Sequence, residues 1–390
     1  MRSCFDLLTD EEKTLLLEPV DTRMAKMIQA VEANQALLDI LLLSQQEELL
    51  IDECECEKNE DLKADSAEKG CDSAEKGCDS AEKGCDSENC CDFPERCCEF
   101  AERPTPFERQ CATAAADETI ERSLEKYSRV QSTLRQFVRD WADEGEKERA
   151  MCYGPLIRDL EKYVPLKPFR QERGRRPVVV CPGSGLGRLP FESVRRGYST
   201  QGNEFSHLML FGADLILNHA LPEYELSICP FVLATCNRKS HDDHLVSIRI
   251  PNVCPAKHIP RDPDCSFSMF AGEFVEVYQN SIKEIDVVLT CFFLDTAKNI
   301  MVYIRTIAKI IRPGGLWANN GPLLYHFADT IGEFSVELSW EEIRPIILQF
   351  FDIQHEEFLL ATYTSQPRSM MHTVYDCVHF AAIRNEKEVT

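Results

Sequence analysis

Between residues 7 and 50 apolar positions recur at intervals of three and four, with Met24, Met27, Ile28 and Val31 as the clearest run. That spacing predicts a helical segment capped by Thr9 or Asp10. The same period returns beyond residue 115, where Leu124, Tyr127, Val130, Leu134, Phe137, Val138 and Trp141 fall on one broad face. Pro165 and Pro168 are expected to end this second helical region. From Pro177 onward, short apolar runs alternate with helical stretches. Strands are expected over 178–181, 200–202, 267–270, 286–291, 316–319, 351–358 and 374–383, with helices notably over 296–311 and 339–349. This alternation predicts an α/β fold with a mainly parallel sheet.

Between the two helical regions the pattern disappears. The heptapeptide DSAEKGC occurs three times from Asp65, and residues 51–112 carry 19 acidic and 8 basic side chains, about half of the chain's net charge of −23. Glycine in every repeat and the lack of paired apolar positions argue against a coiled coil. Ten cysteines lie between Cys54 and Cys111, yet without CxxC pairs or a histidine to complete a four-coordinate site. The tract is expected to be a disordered acidic insertion, with a metal-binding or redox tract as the alternative. The resulting division is 1–50 helical, 51–115 insertion, 116–170 helical and 171–390 the α/β domain. Within the last, 218–265 reads as a substrate-side or packing loop, because its Cys229, Cys236, Cys254, Cys265, His241, His244 and His258 are too irregularly spaced for zinc.

Composition narrows the function. The net charge and a pI near 4.9 leave no basic stripe for a phosphate backbone, so nucleic acid is excluded as a partner. No apolar run reaches the roughly 18 residues needed to span a bilayer, and the charged N-terminus lacks a signal-peptide core. A cytoplasmic location is expected, with the nucleus also open to it. Most of the 19 cysteines should then be free thiols. A homo-oligomer is compatible with all of this.

The run VVVCPGSGLGRLPFE, 178–192, reads as a buried strand entering a tight turn and then a helix, a place where backbone can approach a polar or anionic ligand. Glu204 follows Gly183 by 21 residues, at the end of the next expected strand, where a carboxylate can accept both hydroxyls of a ribose. Turn and acid together indicate a nucleoside without saying which. The glycine spacing departs from the dinucleotide GxGxxG, and IIRPGGLWANNGPL places a helix stop before a fifth strand. These two features resemble class I methyltransferases, whose Rossmann-like sheet ends in a hairpin with an antiparallel last strand.

PGSGLGRLPFE, GYSTQGNEFSHLMLFGADLILN, TCFFLDTAKNIMVYI, PGGLWANNGPLLYHF, SVELSWEEI and TYTSQPRSMM together resemble the carnosine N-methyltransferase family, and STLRQFVRDWADEGEKER resembles its helical segment just before the catalytic domain. The resemblance implies transfer of a methyl group from S-adenosylmethionine to the imidazole of carnosine, giving anserine, or of a related histidine-containing peptide. It implies that Gln136 and Arg139 reach the methionine carboxylate, that Gly183 and Gly185 lie against the methionine part, that Glu204 holds the ribose, and that Glu273 and Phe274 border the adenine. It places the substrate between Asp295 and His326 as catalytic residues, with Phe292, Tyr363 and Tyr375 around it. Without the resemblance Asp295 also reads as an N-cap of the helix from Thr296, and His326 as a packed histidine. Lys298 and Thr373 depart from the family pattern. No metal is expected in the site. A cofactor-binding protein without catalysis is the competing reading, and an NAD oxidoreductase is disfavoured by the glycine spacing.

Overall fold

A computed structural model describes residues 7–16, 18–64, 126–328 and 330–389, with side chains of the first long helix described through residue 43. The chain divides into two units, Met1–Gln45 with Ser128–Thr390, and Gln46–Tyr127. Most of the acidic cysteine tract, including all three heptapeptides, lies outside the described residues.

Seven strands form one sheet: β1 (Val178–Pro182), β2 (Ser199–Glu204), β5 (Phe267–Ala271), β6 (Ile285–Cys291), β7 (Ile311–Gly321), β8 (Phe351–Ala361) and β9 (Tyr375–Arg384). Their order is β5-β2-β1-β6-β7-β9-β8. Neighbours from β5 through β7 are parallel, while β9 runs antiparallel to both β7 and β8. This is the Rossmann-like class I methyltransferase sheet with its antiparallel last strand. Each of the seven expected strands is present.

Burial on both faces explains why β1 and β6 read as largely continuous apolar runs rather than as alternation. Val180, Val288 and Trp317 point into a core with Ile300, Ile304, Ile307, Ile343 and Ile347. Their neighbours Val179, Cys181, Val287, Leu289, Leu316 and Ala318 point to the other face, against Leu156 and Leu160 of the helix Gly154–Tyr163. A third cluster joins Phe137 and Trp141 of the helix at 126–141 to Leu186, Phe191 and Ile216, with Leu37 and Leu41 packed on it.

The helical expectations need correction at several points. The helix Val20–Ala64 continues past residue 50, into the segment read as disordered. Its run of Glu, Leu and Lys has good local helix propensity, which low apolar content does not remove. Thr9 does cap, with Glu12 in a reciprocal capping box, but on the short helix Asp10–Thr14. The buried stripe of the long helix is Met27, Ala30, Asn34, Leu37 and Leu41, whereas Ile28 and Val31 face solvent. Pro165 ends one helix, but Pro168 sits in the first turn of the next, Leu166–Arg173, where its missing N–H has no intrahelical acceptor to lose. The helix expected from Thr296 begins at Ile300, because Asn299 caps it through the Met301 amide. Two short strands escaped the pattern: β3 (Leu226–Ile228) and β4 (Ile248–Ile250) pair antiparallel in the 218–265 insertion. At three residues each they are too short to show a period.

Candidate active site

Sheet order reverses between β1 and β6, and the crevice beyond the carboxyl ends of parallel strands at such a point is where open α/β sheets bind ligands. Every strand-end residue singled out in the sequence lies on that edge: Gly183 after β1, Glu204 on β2, Glu273 after β5, Asp295 after β6 and His326 after β7.

The glycine turn is held from both sides. Gly183, Gly185 and Gly187 all have positive φ, a conformation that side chains resist. A Cβ on Gly183 would strike the Phe293 ring at 2.7 Å, whereas one on Gly185 would meet only Asp140 Oδ2 at 3.9 Å. The space above Gly185 is therefore open to a ligand. The Gly185 amide donates to Glu204 Oε2 at 2.8 Å, and the amides of Phe205 and Ser206 donate to Oε1. Glu204, at the end of β2, thus fixes the turn. The Trp141 indole donates to Leu186 O at 2.9 Å, and Arg188 to Asp140 O at 2.7 Å, so the 126–141 helix is latched onto the same turn.

One cavity gathers Gln136, Arg139, Gly183, Gly185, Phe292 and Tyr363, six of the residues expected from sequence, together with Tyr153, Leu189 and Cys291. Gln136 Nε2 donates to the Tyr363 hydroxyl. Arg139 is buried, with its guanidinium 4.5 Å from the Tyr363 ring centroid and 4.8 Å from that of Tyr153. Glu148 lies 3.4 Å from Arg139 and accepts the amides of Thr364 and Ser365, tying the helix Glu146–Cys152 to the β8–β9 connection. Tyr153 donates to Asp140 at 2.7 Å, and burial raises the Asp140 pKa. Sequence reasoning missed Tyr153, Asp140 and Glu148. Asp140 directly follows Arg139 in the QFVRDW motif, but nothing local says that Tyr153, across a turn, would pair with it.

Phe292 has φ of 50°, strained for an aromatic residue, and this turns the chain sharply out of β6. Its ring lies 4.8 Å from that of Tyr363 and 5.6 Å, edge to face, from that of Tyr375. The three expected aromatics form one wall. Three residues on, Asp295 sits in a short 3₁₀ turn and is 3% exposed. Its Oδ2 accepts the Leu324 amide at 2.9 Å, while Oδ1 is buried with no hydrogen-bond partner. Burial is the main cause that raises its pKa to about 6, against the Leu324 amide, which lowers it. The reading of Asp295 as a helix cap fails, since Asn299 has that role. The His326 amide donates to Asp295 O at 3.0 Å, which fixes the two loops together. The His326 side chain is exposed rather than packed, and partial desolvation lowers its pKa.

Glu273 caps the short helix Phe274–Val277 by accepting the Glu276 amide. Phe274 is 2% exposed and packs edge to face on Phe293 and Tyr303 at 5.4 and 5.5 Å, backing the ring that contacts Gly183. Tyr303 has its pKa raised to about 12, first by burial, with Glu273 and Glu204 adding to it. Lys298 is drawn outward to Glu333.

The carnosine N-methyltransferase family model matches residues 116–386. The chain belongs to the carnosine N-methyltransferase family. It is 41% identical to carnosine N-methyltransferase of Mus musculus over 254 residues, 65% of this chain and 62% of that one. Against the carnosine N-methyltransferase of Schizosaccharomyces pombe it is 35% identical over 289 residues, 71% of this chain and 76% of that one. The match thus spans less than two thirds of the mouse member of the family. A solved S-adenosylmethionine-dependent methyltransferase from Methanosarcina mazei is similar at 11% identity over 60% of this chain and 98% of that one, with a TM-score of 0.38. Among the described residues no helix is long and apolar enough to cross a membrane.

Proposed function

We propose that this chain is an N-methyltransferase that uses S-adenosylmethionine to methylate the imidazole of carnosine, giving anserine, or of a related histidine-containing peptide. The observation that carries this reading is Asp295: a buried carboxylate, three residues after Phe292 of the aromatic wall, with one oxygen satisfied by Leu324 and the other left unpartnered. A buried acceptor with no donor is costly, and an imidazole N–H is the kind of group that completes it.

The residues also suit the donor. Gly185 leaves room above its backbone, Glu204 offers carboxylate oxygens at the end of the neighbouring strand, and Gln136 and Arg139 present polar groups to the same cavity. When bound, S-adenosylmethionine supplies a methyl group on a sulfonium sulfur, which leaves as a neutral thioether while the attacking nitrogen forms its bond to carbon. For that attack the substrate ring must be neutral, with its lone pair held in one direction. Asp295 Oδ1, accepting the N–H of the other ring nitrogen, fixes the tautomer and leaves the lone pair on the nitrogen that reacts. As positive charge grows on the ring, the same carboxylate and the faces of Phe292, Tyr363 and Tyr375 stabilise it. With a pKa near 6, Asp295 is also placed to take the ring proton that methylation makes acidic. His326, exposed and with its pKa lowered, can pass that proton to water.

The test is incubation of the purified chain with labelled S-adenosylmethionine and a panel of histidine dipeptides. Label on an imidazole nitrogen supports the proposal. Cofactor binding without transfer would instead make this a binding protein, and no binding at all would remove the methyltransferase reading.

A further inference from the structure

On the sheet face that carries the helix Gly154–Tyr163, outside the methyl-transfer site, one buried histidine meets Asp159 of that helix and two side chains of the edge strand. His379 on β9 is 2% exposed, and its Nδ1 lies 2.9 Å from Asn319 O. A carbonyl only accepts, so Nδ1 carries the proton and Nε2 of the neutral ring is a lone pair. That lone pair faces Asp159 Oδ2 at 3.0 Å, on a residue only 7% exposed. Yet Oδ2 has no hydrogen-bond partner. Two acceptors at this distance repel unless a proton or a metal ion lies between them. Their contact is also not that of a hydrogen bond, as expected when two atoms aim at a common point rather than at each other. Ligand atoms about 2.0–2.1 Å from a tetrahedral zinc ion are roughly 3.3 Å apart.

The remaining ligands come from the edge strand. Glu357 on β8 is the register partner of His379, and His355 lies two residues away on the same face. Ligand atoms of His355, Glu357 and His379 all fall within 4.8 Å of one another, and His355 Nε2 is 3.0 Å from Glu357 Oε1. Both edge-strand side chains are 42% exposed. The carbonyl on Nδ1 is the usual outer partner that orients a metal-bound imidazole.

We propose that His355, Glu357, His379 and Asp159 form a divalent-cation site, with zinc the ion best matched to two imidazoles and two carboxylates. The ion fastens the edge strand β8 to β9 and to the helix beneath. Its role is structural, since none of these residues belongs to the methyl-transfer site.

The test uses the full chain with its accessible thiols alkylated, so that the cysteine tract does not compete, and zinc alone as the probe. Equilibrium dialysis should give one ion per chain, X-ray absorption should show nitrogen and oxygen ligands with imidazole, and zinc should raise the thermal midpoint. The double variant His355→Ala/Glu357→Ala, on the exposed strand, should bind zinc about 100-fold more weakly or worse and lose the thermal shift. Asp159→Asn, which keeps the side-chain shape, should also weaken binding. Absence of zinc binding by the alkylated protein, sulfur ligation alone, or equal binding by wild type and both variants would overturn the proposal and leave His379 and Asp159 as a proton-bridged pair.

Discussion

Burying the Asp295 carboxylate with one oxygen unsatisfied works against folding wherever the group is ionised. Its pKa of about 6 in the fold, against an ordinary value of 3.8, means that the folded chain holds the proton more tightly. The associated stability is therefore fully present below about pH 4 and is lost as pH rises through 6. At neutral pH the cost is of order 2–3 kcal/mol. Asp295→Asn should accordingly raise the thermal midpoint at pH 7.5 while methyl transfer drops by about 100-fold or more, with cofactor affinity within a few fold. Thermal unfolding, turnover and cofactor titration check this, and an unchanged midpoint would count against a strained carboxylate. For the wild type, kcat/KM should fall as pH drops below about 6, because Asp295 protonates and the substrate imidazole, ordinarily near 6.5, becomes charged. A rate–pH profile flat down to pH 5 would contradict this role. Asp295 could be named from its motif, but its orphaned Oδ1 depends on Leu324, 29 residues away, taking the other oxygen.

Local elements depend on their caps and tethers. The helix Ile300–Ile310 starts where Asn299 can accept an amide, and Asn299→Ala should destabilise the protein by about 1 kcal/mol, read as a lower midpoint in denaturant with unchanged slope. The glycine turn is different in kind, because its tether comes from the next strand through Glu204. Glu204→Gln keeps the shape but replaces a charged acceptor of three amides by a neutral amide, one end of which donates. S-adenosylmethionine binding should weaken roughly 10-fold or more by calorimetry, with the sheet intact by circular dichroism. The central strands β1 and β6 were legible because runs such as VVVC are bounded by turn residues and buried on both sides. The solvent face assigned to Ile28 and Val31 was not, because period alone does not say which of two apolar stripes finds a partner.

Across the chain, the candidate site residues at strand ends gather at one sheet edge, and the DSAEKGC repeats lie outside the described residues. Removal of residues 65–86 from the full chain should leave the methyl-transfer rate nearly unchanged, and a large loss in a turnover assay would assign the repeats a part in the chemistry. The 218–265 insertion does have a structural place: the Met370 amide donates to Asn237 O at 2.7 Å, and the Asn34 amide to Cys229 O at 2.9 Å. It thus connects the β8–β9 segment that carries Tyr363 with the first long helix. Its cysteines and histidines could not reveal this, because the contacts are made largely by backbone and by asparagine.

Periodicity and glycine spacing determined by themselves the α/β class, the seven strands of the main sheet and the strand-end positions of Gly183 and Glu204, since each of these follows from burial and backbone geometry within a short stretch, whereas Asp295 and His326 were named through the family resemblance. Tertiary structure alone decided which carboxylate oxygen is left without a donor, which aromatics meet Phe292, and that His379 meets His355 and Glu357 on one side and Asp159 on the other. Those outcomes depend on register and on helix-to-sheet packing between segments as much as 220 residues apart, Asp159 and His379 among them, and no local pattern carries that information.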